Sequence, residues 1–117
     1  MSLIDTPEIV TLTRALDLAA MRHGLISSNM ANVDTPGYRT RDIDFQAELG
    51  KAQIYSSVAE HPPIRQVKGL VERPDGNNVS LERESLLLSD NQLRYRMATE
   101  LLRAEFHRLL SAINEGR

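Results

Sequence analysis

Two long stretches of the chain place apolar residues at every third or fourth position, and a stretch with no such period separates them. In the first, Ile9, Leu12, Leu16, Ala19, His23, Ile26, Met30 and Val33 alternate three- and four-residue steps. They therefore share one helix face, on which His23 alone is polar. In the last, Leu88, Gln92, Tyr95, Thr99, Leu102, Phe106, Leu109 and Ile113 repeat the same spacing. The two stripes match in length. Each predicts a long helix, over 6–33 and over 80–115, and the first would run for roughly 40 Å.

The ends of both helices carry the expected signals. Asp5 or Thr6 can accept from free backbone amides, Pro7 suits the first turn, and Glu8 favours the positive end of the helix dipole. Ser80 does the same for the second helix, followed by Glu82 and Glu84, and Gly116 ends it. Between them, residues 34–79 hold most of the prolines and glycines. Asp44 is placed to cap a short helix through Phe45, Ala47, Leu49 and Ala52, Gln66 to Glu72 can pair as a strand, and Asp75-Gly76-Asn77 reads as a turn. The fold class is mainly α: two long terminal helices in an antiparallel, coiled-coil-like hairpin, joined by an irregular middle segment with a short helix and short strands.

The C-terminal helix carries a second apolar set, Leu86, Leu93, Met97, Leu101 and Ala104, on another face. One partner helix cannot cover both. A two-helix hairpin leaves Leu93, Met97, Leu101 and Leu110 in water, a patch that soluble monomers avoid. Helices from other subunits are expected there; the alternative is that the middle segment folds back over this face.

Composition narrows the function. Of 117 residues only 4% are aromatic and none is Trp, a thin stock for a self-sufficient core. A net charge of -2, with 14 basic and 16 acidic residues interspersed, offers no basic stripe and disfavours nucleic acid as a partner. No stretch is apolar for long enough to insert into a membrane, and the N-terminal residues lack the pattern of a secretory signal. Without Cys there is neither disulfide nor thiol chemistry. His23, His61 and His107 have no metal-ligand spacing, no nucleotide-binding or nucleophile motif occurs, and no cofactor is implied. Asp42 and Asp44 form a D-x-D, but two carboxylates seldom make a cation site and capping accounts for Asp44. The pairs Asp90/Arg94 and Glu100/Arg103 read as a solvated helix face. The chain is not expected to be an enzyme.

The stretch from Asn29 to Tyr38 is different. Asparagine disfavours helix interiors, so Asn29 and Asn32 within one turn point to amides that bond backbone outside the helix. Pro36 and Gly37 suit the second and third positions of a type II turn, where glycine supplies a positive φ. Tyr38 adds a flat ring with a hydroxyl, a residue type favoured at contacts.

Asn29 to Arg39, reading Asn-Met-Ala-Asn-Val-Asp-Thr-Pro-Gly-Tyr-Arg, resembles the signature of the bacterial flagellar axial family of rod, hook and hook-associated proteins. Asp42-Ile43-Asp44-Phe45 extends the likeness. Within the family, Asp75-Gly76-Asn77-Asn78-Val79, Leu81-Glu82-Arg83-Glu84 and Asn91-Gln92-Leu93-Arg94-Tyr95 are similar to proximal rod members, so that nearly the whole chain is covered. The resemblance implies one rod-type domain over 1–117, exported without a cleaved signal peptide into the periplasmic rod of the flagellar basal body. Asn29, Ala31, Asn32, Thr35, Pro36, Gly37 and Tyr38 would form the turn that meets neighbouring subunits. The stripe Ile9, Leu12, Leu16, Ala19, Ile26, Met30 and Val33 would pack in the helical layer with Leu88, Leu93, Tyr95, Met97, Leu101, Leu102, Phe106, Leu109 and Ile113. Expected partners are further copies, other rod proteins, and the basal adaptor between the rod and the inner-membrane ring and export gate. A cytoplasmic coiled-coil scaffold or export chaperone would explain the heptads as well, but has no need of the asparagine-rich stop or the Thr-Pro-Gly-Tyr turn.

Overall fold

Thr6 begins the first helix as its sequence predicts: its Oγ1 accepts from the Ile9 amide at 3.2 Å, and Pro7 occupies the first turn. The computed structural model describes residues 6–54 and 61–116, so the alternative cap, Asp5, lies outside the described residues. Helix α1 runs Pro7–Ala31, strand β1 Arg41–Asp42, helix α2 Phe45–Ile54, strand β2 Arg65–Gln66 and helix α3 Leu81–Glu115. The architecture is mainly helical, and α3 packs along the length of α1. Asp44 caps α2, accepting from the Ala47 amide at 3.1 Å. Ser80 caps α3, accepting from Arg83 at 3.2 Å, and Gly116 closes it.

The middle segment pairs more briefly than the predicted strand. β1 and β2 are antiparallel, with Arg41 opposite Gln66 and Asp42 opposite Arg65, so pairing starts one residue before Gln66 and stops there. Its helix covers a face of α1 that shares only Ala19 with the single stripe. Leu18, Ala19 and Leu25 are buried with Ile43 and Phe45, and Ala15, Met21 and Leu49 pack at the margin. α1 is therefore apolar on two sides. The Arg94 guanidinium stands 5.2 Å from the Phe45 ring centroid, where the ring's negative face attracts it.

Two expectations about α3 change. Its seam against α1 is turned by about half of one residue's 100° from the Leu88-to-Ile113 stripe, since Glu84, Asn91 and Ala98 are its buried residues. Leu88, Leu102 and Leu109 are half-buried at the seam's edge, while Tyr95, Phe106 and Ile113 are exposed. The lengths also differ: α1 has 25 residues and α3 has 35. Asn91 meets Ala19 and Glu84 meets Asn29, so by the same antiparallel register Pro7 stands level with about Arg103 and the last turns of α3 pass beyond it.

Candidate functional site at the helix joint

Asn29 sits in the last turns of α1, almost fully buried at 1% exposure, and its amide makes every bond it can. Nδ2 donates to the Arg41 carbonyl at 2.9 Å and to Glu84 Oε2 at 3.2 Å. Oδ1 accepts from the Tyr38 hydroxyl at 3.0 Å and from the Arg41 amide at 3.1 Å. One side chain thereby fastens α1 to the turn, to β1 and to α3. Tyr38 is half-buried and its hydroxyl also lies 3.3 Å from Ser28 Oγ, so its polar end is engaged within the chain.

Asn32 terminates α1. Its Nδ2 donates to the Ser28 carbonyl at 2.8 Å and its Oδ1 accepts from Thr35 Oγ1 at 3.0 Å. The Tyr38 amide then closes the Thr35-Pro36-Gly37-Tyr38 turn on the Thr35 carbonyl at 3.2 Å, and Gly37 has φ 75° as a type II turn requires. Ala31, Thr35, Pro36 and Gly37 are exposed on the outside of this bend.

A second turn is docked onto the first. Gly37 donates its amide to the Asp75 carbonyl at 2.9 Å. Asn77, fully buried, donates Nδ2 to the carbonyls of Asn32 (2.9 Å) and Thr35 (2.8 Å), giving each a second donor beside the turn amides of Thr35 and Tyr38. Its Oδ1 accepts from Val79 at 2.8 Å. Asn78 Oδ1 accepts from the Thr40 amide at 2.7 Å. Arg73 donates to the Val33 carbonyl, and Arg39 Nη1 donates to the Gly76 carbonyl at 3.2 Å.

Beneath the turns lies a compensated charge cluster. Arg22 forks onto Asp42 through Nε to Oδ1 (3.0 Å) and Nη2 to Oδ2 (2.8 Å). Arg83 donates to Asp42 Oδ2 at 3.2 Å and to Glu84 Oε1 at 2.7 Å. Glu84 is 0% exposed, so its charge depends on Arg83 and Asn29. Asp42 is thus taken up by arginines and Asp44 by its cap and by Arg65 at 3.1 Å. Arg22, Arg83, Glu84, Asn77 and Asn78 were not singled out in the sequence as site residues. The Asp75-Gly76-Asn77 turn, the place of Glu84 at a helix start and the family likeness over 75–79 and 81–84 were their signals, and Arg22 had none.

The helix-packing residues divide. Ile9, Ala19 and Ile26 are buried, Leu12, Leu16, Met30 and Val33 half-buried, and His23 is exposed beside Tyr95 in a shallow groove. On the outer face of α3, Leu93 (55%), Met97 (55%) and Leu101 (54%) remain exposed, Leu86 more so, and Leu110 (57%) is exposed beside Phe106. The described part of the middle segment covers α1 instead of this face.

Such a hairpin, locked at one end and apolar on its outside, defines a helical subunit built to be packed by other chains. The family described as flagella basal body rod protein matches residues 9–39, which take in most of α1 and its turn. The chain is 31% identical to flagellar basal body rod protein FlgB of Salmonella typhimurium, over 87% of this chain and 89% of that one. It is 32% identical to FlgB of Escherichia coli over the same shares, and 35% identical to FlgB of Cereibacter sphaeroides over 86% and 88%. The chain belongs to the FlgB family of flagellar basal body rod proteins.

Proposed function

We propose that the protein is a structural subunit of the proximal rod of the flagellar basal body, joining other axial proteins in the shaft that transmits torque. The outer face of α3 carries this reading: Leu86, Leu93, Met97 and Leu101 stay in water in the single chain, in a family whose members are rod proteins. The role is mechanical, with no catalytic step and no cofactor. Copies of the chain and other rod proteins cover the bare face, the exposed bend at Ala31, Thr35, Pro36 and Gly37 meets a neighbour, and a basal adaptor joins the assembly to the inner-membrane ring and export gate. The chain reaches the periplasm by flagellar export with its N-terminus uncut.

Fractionation tests this directly. The protein is expected in purified basal bodies, with an intact N-terminus on sequencing, and its deletion should abolish rods and motility. Recovery from the cytosol alone would favour the scaffold or chaperone reading and refute this one.

A further inference from the structure

Asp42 holds a position that neither the turn signature nor helix packing requires. Its carboxylate has about four acceptor directions, and all are used. Oδ1 takes Arg22 Nε and the Ile43 amide (2.8 Å); Oδ2 takes Arg22 Nη2 and Arg83 Nη2. The donors come from α1, the middle segment and α3.

The bonds also close on themselves. From Asn29 the path runs through the Arg41 backbone to Asp42, across Arg83 to Glu84, and back to Asn29. Sliding any one of the three elements against the other two must break a member of this ring. Arg22 adds a second hold on α1, two turns before Asn29. Two arginines face two carboxylates, so the buried cluster is neutral overall and each charge depends on its partners.

We propose that Asp42 is the positioning residue that makes the middle segment and the two helices one rigid body, and that this ring carries load between them. The coupling stands on the geometry of the single chain; its load-bearing consequence rests on the rod reading. Apolar contact of Phe45 and Leu49 with α1 holds the segment down but is non-directional and resists sliding weakly. The forked Arg22 bond fixes distance and angle together.

Amide exchange on the isolated chain tests the coupling. Asp42→Asn keeps the volume but turns an NH2 toward two guanidinium groups. Exchange over 41–54 should accelerate by roughly tenfold or more, a local opening, while the middle of the α1–α3 seam is unchanged. Equal acceleration everywhere, or none over 41–54, overturns the assignment. Should that variant not fold, Arg22→Lys keeps the charge without the fork and should give the same pattern at smaller amplitude; a uniform or absent response in it is equally decisive. For load, cells carrying Arg22→Lys should build basal bodies containing the protein and swim in dilute medium, yet stall in viscous medium. Normal swimming in both, or exclusion of the variant from rods, overturns the load-bearing role. Absence of the wild-type chain from basal bodies would instead overturn the rod reading and leave the exchange result standing.

Discussion

Gly37 and Gly76 face each other across the two docked turns: a Cβ on Gly76 would lie 3.4 Å from the Gly37 Cα. Both have positive φ, 75° and 87°, which costs an L side chain about 1–2 kcal/mol. Gly37 has open space beside it and a Cβ on Gly76 meets only van der Waals contact, so Gly37→Ala and Gly76→Ala should each lose that strain. Gly37→Val should be worse again, because a β-branched side chain is poorly accommodated there. Urea unfolding orders the variants, and motility checks whether Gly37→Val blocks assembly. Equal stability of wild type and Gly76→Ala would remove the turn pair from the joint.

Asn29 offers a sharper test because all of its hydrogen-bonding capacity is engaged in a buried place. Asn29→Ala removes four bonds and leaves Glu84 short of a donor, a loss of about 3 kcal/mol or more. Asn29→Asp should be at least as damaging, since it sets a second carboxylate against Glu84 and gives up both donors. Tyr38→Phe, which takes one donor from the network, should cost only about 1 kcal/mol. Thermal melts of the three variants test the order; a mild Asn29→Asp would remove the Asn29–Glu84 bond from the contacts that hold the joint.

These two sites also mark what was legible in the sequence. Helix ends were readable because caps are local: Thr6, Asp44 and Ser80 act within three residues of themselves. The Gly37 turn was readable for the same reason. The seam of α3 was not, because Glu84 and Asn91 are polar and a search for apolar residues passes them by; Asn29 and the Ala19 carbonyl, with Arg83 beside Glu84, make them fit to bury. The second face of α1 had a trace in Ala15, Leu18 and Leu25, but nothing local said that Ile43 and Phe45 would return to cover it. A two-residue strand has no period to detect.

The bare face of α3 should separate folding from assembly. Leu93→Glu and Leu101→Glu replace side chains that are more than half exposed, so each should change monomer stability by no more than about 0.5 kcal/mol. In cells the same changes should prevent incorporation into the rod, because each would bury a charge in an apolar contact. Denaturation of the purified variants, set beside motility and basal-body recovery, checks both halves. A variant that folds normally and also swims normally would show that this face is not an assembly surface.

The last turns of α3 lead to a prediction about order. Beyond about Arg103 no helical turn of α1 stands opposite among the described residues; Phe106, Leu110 and Ile113 are exposed and Leu109 is half-buried. The ion pairs there, Arg103 with Glu100 and Arg108 with Glu105, are on the surface and contribute little. A helix end with so little packing is marginal in water. In the isolated chain, amides of 105–115 should exchange nearly as fast as an open coil, while those around Asn29, Thr40 and Asn77 are strongly protected. On assembly the C-terminal turns should become protected and helicity measured by circular dichroism should rise. A monomer whose α3 is uniformly protected to its last turn would mean that the hairpin needs no neighbour to order it, and that the overhang is not reserved for assembly.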